Sequence, residues 1–224
     1  MSHFFSEDIE KSIEKYREYI ILYRNEMDIC IQNWELFEEF QKNSDLFNKI
    51  LGKTTAIHSF NTIQYSLIQI TWLGLMKLWD DDNQHNNNVR FRLLYTFINS
   101  KNYLEFMKNR YEDYPDVIVN FNKNKKEFKK LYNKYFNGKY NHIYKELKNI
   151  RNKMLAHADM DNRPTYTHSM DELREFYADS IRMIETAYAL FNVGINLEER
   201  RKIVRRNANR FVAVMKGLET SSEG

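Results

Sequence analysis

Residues 6–41 read SEDIEKSIEKYREYIILYRNEMDICIQNWELFEEFQ, and they carry the longest unbroken apolar pattern of the chain. Apolar side chains recur at alternating spacings of three and four, which is the repeat of one face of an α-helix. They are Ile9, Ile13, Tyr16, Ile20, Tyr23, Met27, Cys30, Trp34 and Phe37. Ser6 is expected to cap this helix, and the acidic Glu7 and Asp8 suit its positive end. The pattern predicts a first helix of about thirty-five residues, which is about 50 Å long.

The same helical repeat continues through most of the remaining chain. It predicts further helices over residues 46–51, 54–79, 89–98, 103–111, 117–136, 140–156, 169–190 and 197–216. Ser169 and Glu172 have the spacing of a capping box, and Gly194 is expected to terminate the helix that they begin. Asn196 is expected to cap the last helix. The 224 residues include only 6 Gly and 2 Pro, whereas turn-rich β folds need many of both. We therefore expect one all-α domain over residues 1–218, with a long N-terminal helix, a basic C-terminal helix and a disordered tail at 219–224.

Charge and composition are those of an ordinary globular protein. The 34 Lys and Arg against 31 Asp and Glu give a net charge of +3, which by itself does not indicate a nucleic-acid-binding protein. The single cysteine, Cys30, cannot form a disulfide within the chain and is expected in the core. The N-terminal segment lacks the features of a signal peptide, and no stretch approaches about eighteen uncharged apolar residues. We therefore expect a soluble, cytoplasmic protein with no membrane partner.

The segment KNIRNKMLAHAD, residues 148–159, carries the side chains best suited to chemistry. His157 can take or give a proton near neutral pH, and Arg151 offers a permanent planar charge for phosphate. Asn152 is expected either to orient the histidine or contact phosphate, or to be an ordinary polar residue that faces solvent. An acid–base group with a phosphate-binding cation is the minimum needed to cleave RNA through its own 2′-hydroxyl. This chemistry requires no metal, and we predict no cofactor.

Arg151 to His157 resembles the R-x(4–6)-H signature of the HEPN superfamily (higher eukaryotes and prokaryotes nucleotide-binding), with Asn152 as the polar residue after the arginine. The continuation AHAD at 156–159 looks like the abortive-infection, AbiU-like branch, as does LWD at 78–80 ahead of an Asn-rich loop. The resemblance implies an all-α HEPN-like bundle with metal-independent ribonuclease activity. It also implies an active site completed by juxtaposing two copies of the motif in a dimer.

Helix geometry bears on how these residues can meet. Positions six apart lie about 120° around a helix axis, so Arg151 and His157 cannot both point at one phosphate while the helix stays regular. Either the helix frays near Ala156, or a second chain supplies the missing group. Asp159 could orient His157 through a hydrogen bond, although an aspartate after a helix is also a common turn former. The alternative for the arginine and histidine is a helix C-terminus whose negative end favours cations.

Three other charged stretches were considered as binding sites. The lysines of helix 117–136 are expected to form a solvated face: Lys123, Lys125, Lys126, Lys129, Lys130 and Lys134. The last helix is either an RNA-backbone track or an ordinary cationic surface, because arginine makes bidentate contacts with phosphate. Its candidate RNA-binding residues are Arg200, Arg201, Lys202, Arg205 and Arg206. The loop Asp80 to Asn88 holds three adjacent carboxylates and His85 but lacks a recognisable ligand spacing, so we predict no metal site.

The residues and the resemblance together predict a HEPN-type endoribonuclease that cleaves RNA as a homodimer. His157 would be the general acid and base, and Arg151 would stabilise the phosphate. The resemblance implies a toxin or an antiphage abortive-infection factor, with an antitoxin protein as a partner. The alternative is a non-catalytic HEPN-like module that binds nucleotide or RNA or serves as an interaction scaffold. In that case Arg151 and His157 would face apart, with no shared cleft.

Overall fold

The computed structural model describes residues 2–80, 90–156 and 168–222. These residues form nine α-helices and no strand, so the predicted all-α fold is confirmed. The helices are α1 (Ser2–Lys42), α2 (Ser44–Leu51), α3 (Ala56–Trp79), α4 (Phe91–Ile98), α5 (Lys101–Arg110), α6 (Pro115–Phe136), α7 (Asn141–Ala156), α8 (Met170–Leu190) and α9 (Leu197–Ser222). Within the described residues, no helix combines the length and apolar character needed to cross a bilayer.

Two of the predicted helix starts are confirmed in atomic detail. Ser169 Oγ accepts a hydrogen bond from the backbone N–H of Glu172 at 3.2 Å, and the Glu172 carboxylate accepts one from the Ser169 N–H at 2.8 Å. This is the reciprocal capping box, which satisfies two donors that a helix start leaves without an intrahelical partner. Asn196 Oδ1 accepts a hydrogen bond from the Glu199 N–H at 2.9 Å and so caps the start of α9. Local hydrogen bonding therefore explains where α8 and α9 begin.

Most observed helix ends lie within two residues of the predicted ones. The start of α1 and the end of α9 differ by more, and the residue that follows α8 in left-handed conformation also differs from the expected one. α1 begins at Ser2 rather than after Ser6, because residues 2–6 contain no Gly or Pro to stop the helix. α8 ends at Leu190, and the residue with left-handed backbone is Asn192 (φ 56°) rather than the predicted Gly194. Asparagine adopts this conformation more readily than most residues. α9 continues to Ser222, past the predicted end near residue 216, since Gly217 is its only strong helix breaker.

The first of two compact units comprises residues 1–26 and 75–195. Its core is aromatic and surrounds Trp79, which is fully buried at the end of α3. The Trp79 ring lies with its centroid 5.1 Å from Phe91, 5.1 Å from Tyr135 and 5.2 Å from Phe176. Aromatic rings at these separations bury large apolar areas and add favourable ring contacts. The end of α3 is therefore fixed within this unit.

The second unit comprises residues 27–74 and 196–224, so that α1 and α3 contribute residues to both units. One cluster of its core consists of Phe40, Phe47, Phe60 and Val212. Cys30 is fully buried, as predicted, with its Sγ 3.7 Å from the Thr71 carbonyl oxygen. The prediction of one domain over residues 1–218 stays a prediction.

Candidate functional site

The site begins at Asp80, the first residue after α3. The preceding Trp79 is held by packing and by a hydrogen bond from its Nε1 to Ser180 Oγ at 2.8 Å. Ser180 Oγ in turn donates to the Phe176 carbonyl oxygen at 2.7 Å, so the indole nitrogen is satisfied inside the core. A satisfied buried donor stabilises one indole orientation. Asp80 therefore directly follows a tryptophan whose position in the core is fixed.

α7 places Arg151 opposite this aspartate. Leu147 and Ile150 are buried and fix the inner face of α7. The neighbouring Arg151 reaches across to Asp80, and Arg151 Nη1 lies 2.9 Å from Asp80 Oδ2. Both side chains are only 15% exposed. Because water is largely excluded, this ion pair is stronger than a typical surface pair.

The guanidinium of Arg151 is also held by its neighbour. The Nε and Nη2 atoms of Arg151 donate to Asn152 Oδ1 at 3.1 and 2.9 Å. Arginine has five N–H donors in a rigid fork, so these two bonds and the Asp80 ion pair engage three of them. The other two have no partner among the described residues. Arg151 is therefore oriented and still able to donate to a phosphate.

The two remaining predicted site residues, His157 and Asp159, lie outside the described residues. The structure brings Arg151 and Asn152 into direct contact, and α7 ends at Ala156. The proximity of His157 to Arg151 therefore stays a prediction. Sequence reasoning missed Asp80 as the partner of Arg151, since LWD at 78–80 indicated only a family resemblance and carried no information on which cation it faces.

Other histidines of this unit join α7 to the start of α8. His168 Nδ1 lies 3.0 Å from Glu146 Oε1, and the His168 side chain is 3% exposed. His142 Nε2 lies 3.1 Å from Glu172 Oε1. The backbone N–H of Ser169, and then His142, lower the pKa of the Glu172 carboxyl below its ordinary value. These contacts have structural roles, and we assign no chemistry to them.

The basic helix α9 is extensively paired with α1 inside the second unit. Arg200 contacts both carboxylate oxygens of Asp28, at 2.5 and 3.0 Å, and this hydrogen bonding raises the pKa of Arg200. Arg201 Nε and Arg205 Nε each donate at 2.8 Å to the carboxylate of Glu35, which is 1% exposed. A buried carboxylate requires such compensation. These arginines therefore act first as partners of Asp28 and Glu35.

Lys202 is paired as well, with its Nζ 3.6 Å from Glu199 Oε2. Arg206 is exposed. An RNA-binding role for Arg200, Arg201, Lys202, Arg205 and Arg206 stays a prediction. The acidic partners on α1 were missed from the sequence, because a helical repeat does not reveal which distant charges will face one another.

One of the lysines predicted on a solvated face is instead part of a polar cluster between α6 and α8. Lys134 Nζ lies 2.6 Å from Glu175 Oε1 and also contacts Asp179, a residue that is 4% exposed. Burial acts to lower the pKa of Lys134, but the hydrogen bonds to Asp179 and Glu175 outweigh it, and the net effect is a raised pKa. Tyr135 OH donates to Asp179 at 2.9 Å, and burial followed by this charge raises the pKa of Tyr135. Lys134 therefore stabilises the α6–α8 packing.

No group of three or more metal-ligating side chains comes together within residues 2–80, 90–156 and 168–222. The loop considered for metal binding lies, apart from Asp80, outside those ranges.

Comparison with known proteins extends the resemblance seen in the motif. A family model described as AbiU2 (HEPN_AbiU2) matches residues 13–198, a segment that includes Asp80, Arg151, Asn152 and His157. Neither the curated proteins nor the solved structures give a significant match. The family match covers well over half of the chain. The chain therefore belongs to the HEPN_AbiU2 family.

Proposed function

We propose that this protein is a metal-independent endoribonuclease of HEPN type that acts in abortive infection or as a toxin. One observation carries the proposal most directly. Arg151 is held by Asp80 and Asn152 near the end of α7, and two of its N–H donors are not engaged by any described residue. A pre-oriented guanidinium with free donors is suited to a phosphate that gains charge during cleavage.

In the proposed reaction, His157 removes the proton of a ribose 2′-hydroxyl, and the 2′-oxygen attacks the adjacent phosphorus. A new 2′-oxygen–phosphorus bond forms as the bond to the 5′-oxygen breaks. The leaving 5′-oxygen takes a proton from an imidazolium, and the products are a 2′,3′-cyclic phosphate and a 5′-hydroxyl. Arg151 stabilises the charge on the non-bridging oxygens, while Asn152 fixes the guanidinium.

The proposal includes a homodimer. Arg151 and His157 lie about 120° apart on a regular helix, so the motif of a second copy would supply the group that one copy cannot direct at the same phosphate. Asp159 would orient His157. An antitoxin protein that covers the paired motifs would silence the enzyme.

The test is cleavage of labelled RNA by purified wild type, His157→Ala and Arg151→Ala in the presence of EDTA. We expect wild type to cut and to leave cyclic-phosphate ends, and both variants to lose at least about a hundredfold in rate. His58→Ala and Arg174→Ala are matched controls, because His58 and Arg174 are exposed and lie on other helices. Cleavage by the controls should equal that of wild type.

Equal cleavage by wild type and both motif variants would contradict the proposal, and so would activity that disappears in EDTA. The second candidate, a non-catalytic RNA- or nucleotide-binding module, is favoured by one observation. Asp80 already neutralises the formal charge of Arg151, as it would in a purely structural ion pair. That candidate predicts RNA binding without cleavage by every variant.

A further inference from the structure

The cations of α6 differ from those of α9 in whether acids already engage them. Four of the five predicted RNA-binding residues of α9 lie in ion pairs within their own unit. On α6, Lys123, Lys126 and Lys130 are exposed, and none has an ion-pair partner among the described residues. Among the described residues, these three α6 lysines are therefore unpaired, whereas most of the cations considered for RNA binding on α9 are paired.

These three lysines lie along one groove. Positions 123, 126 and 130 fall on the same face of a helix and extend over about 10 Å of its axis. They line a groove of about 600 Å³ between α6 and α8, whose other lining residues are Asn124, Glu127, Arg182, Glu185 and Thr186. Four cations and two carboxylates line it, which leaves the groove net positive.

The acids nearest this groove are mostly engaged by other residues. Arg182 contacts Glu127 and also lies 3.3 Å from Asp179 Oδ1. Lys134 engages Glu175 and Asp179 farther along the same two helices. These cross-helix pairs tie α6 to α8, and of the two carboxylates that line the groove they engage Glu127, so that Glu185 is the acid set against the three lysines.

We infer that the groove between α6 and α8 binds the sugar–phosphate backbone of single-stranded RNA. Three lysines in a row supply point charges for successive phosphates, while Asn124 and Thr186 offer polar atoms for phosphate or sugar oxygens. The lining contains no aromatic side chain, so binding there should tolerate any base sequence. This inference rests on the proposed function in taking RNA as the ligand.

The test is fluorescence anisotropy with a labelled single-stranded RNA whose 2′-hydroxyls are methylated, so that cleavage through the 2′-oxygen cannot occur. Wild type is compared with the α6 variant Lys123→Gln, Lys126→Gln, Lys130→Gln over a series of salt concentrations. Each phosphate contact contributes about 0.7 to the slope of log affinity against log salt. We expect the α6 variant to bind about tenfold or more weakly at low salt, with a slope shallower by about 2.

The matched control is the α5 variant Lys101→Gln, Lys108→Gln, Arg110→Gln, which removes the same number of positive charges from exposed positions. Retention of the wild-type slope by this control, together with a shallower slope in the α6 variant, supports the inference. Equal changes of slope in both variants, a change only in the α5 variant, or no binding by wild type would overturn it. If the triple variant does not fold, the single variants Lys123→Gln and Lys130→Gln test the inference. Each should change the slope of log affinity against log salt by about 0.7.

Failure of the proposed nuclease function can be distinguished from failure of the inference about the α6–α8 groove. A protein that binds the methylated RNA through α6 but does not cleave ordinary RNA would contradict the nuclease proposal. The inference that the α6–α8 groove binds RNA would still hold.

Discussion

The ion pair between Arg151 and Asp80 makes a quantitative prediction about the energetics of the site. Exposed ion pairs contribute about 0–1 kcal/mol, and hydrogen bonds to charged groups contribute about 1.5–3 kcal/mol when solvent is excluded. The Arg151–Asp80 pair has a 2.9 Å contact and 15% exposure at both ends, which places it between these limits. We expect a coupling free energy of about 1–2 kcal/mol.

The perturbation is a double-mutant cycle of Asp80→Ala, Arg151→Ala and the double variant. Arg151→Ala should lower the free energy of unfolding by about 2–3 kcal/mol, because it removes the cation that lies 2.9 Å from a largely buried carboxylate. The double variant should be less destabilised than the sum of the two single variants. Urea unfolding, followed by tryptophan fluorescence, measures all four proteins.

A control double-mutant cycle on Asp171 and Arg174 gives the coupling free energy of an exposed ion pair for comparison. These residues also form an ion pair, at 2.7 Å, but their side chains are 89% and 46% exposed. That cycle should give about 0.5 kcal/mol or less. A coupling for Asp80 and Arg151 no larger than the control would refute the reasoning, since α7 and the end of α3 would then not be joined as described.

Three further predictions concern the surrounding fold. Glu35→Ala should lower the free energy of unfolding by about 2–4 kcal/mol, because two arginines lose their buried counter-charge, and urea unfolding measures this loss. Ser169→Ala should cost about 1 kcal/mol through loss of the α8 cap, whereas Ser12→Ala, at an exposed mid-helix position, should change the same measurement little. Hydrogen bonding to Lys134 lowers the pKa of Glu175 below 4.5, so its stabilising contribution is present above pH 4.5 and is lost as the pH falls below that value. Thermal unfolding of Glu175→Gln should therefore show a smaller loss of Tm in acid than wild type, and an equal loss would contradict this assignment.

The helices were predictable from the sequence because their information is local. Apolar residues at spacings of three and four select one helix face, and the side chains that begin α8 and α9 lie within three residues of the N–H groups they accept from. Even the errors were local, as at Asn192, where a left-handed residue takes the place expected for a glycine.

The charged contacts were not predictable, because they join distant parts of the chain. Nothing near Arg201 or Arg205 in sequence indicates that both will face Glu35 on α1. The same holds for Lys134, whose helical position suggested solvent but whose neighbours on α8 are carboxylates. The number of basic residues therefore indicated α9 as a candidate RNA-binding helix, although most of its cations are already paired within the protein.

The same consideration applies to Arg151 and gives the dimer a second physical reason. Asp80 cancels the formal charge of Arg151, while no described residue engages two of the five N–H donors of the guanidinium. One motif alone would thus offer a phosphate directed hydrogen bonds but little net positive charge. In the proposed dimer, a phosphate between two motifs would receive donors from two guanidinium groups, each still paired with the Asp80 of its own chain. The second motif would therefore add directed hydrogen bonds rather than net positive charge, and the positive charge at the phosphate would come from an imidazolium. A larger number of directed donors is the advantage that a shared site would have over a site within one chain.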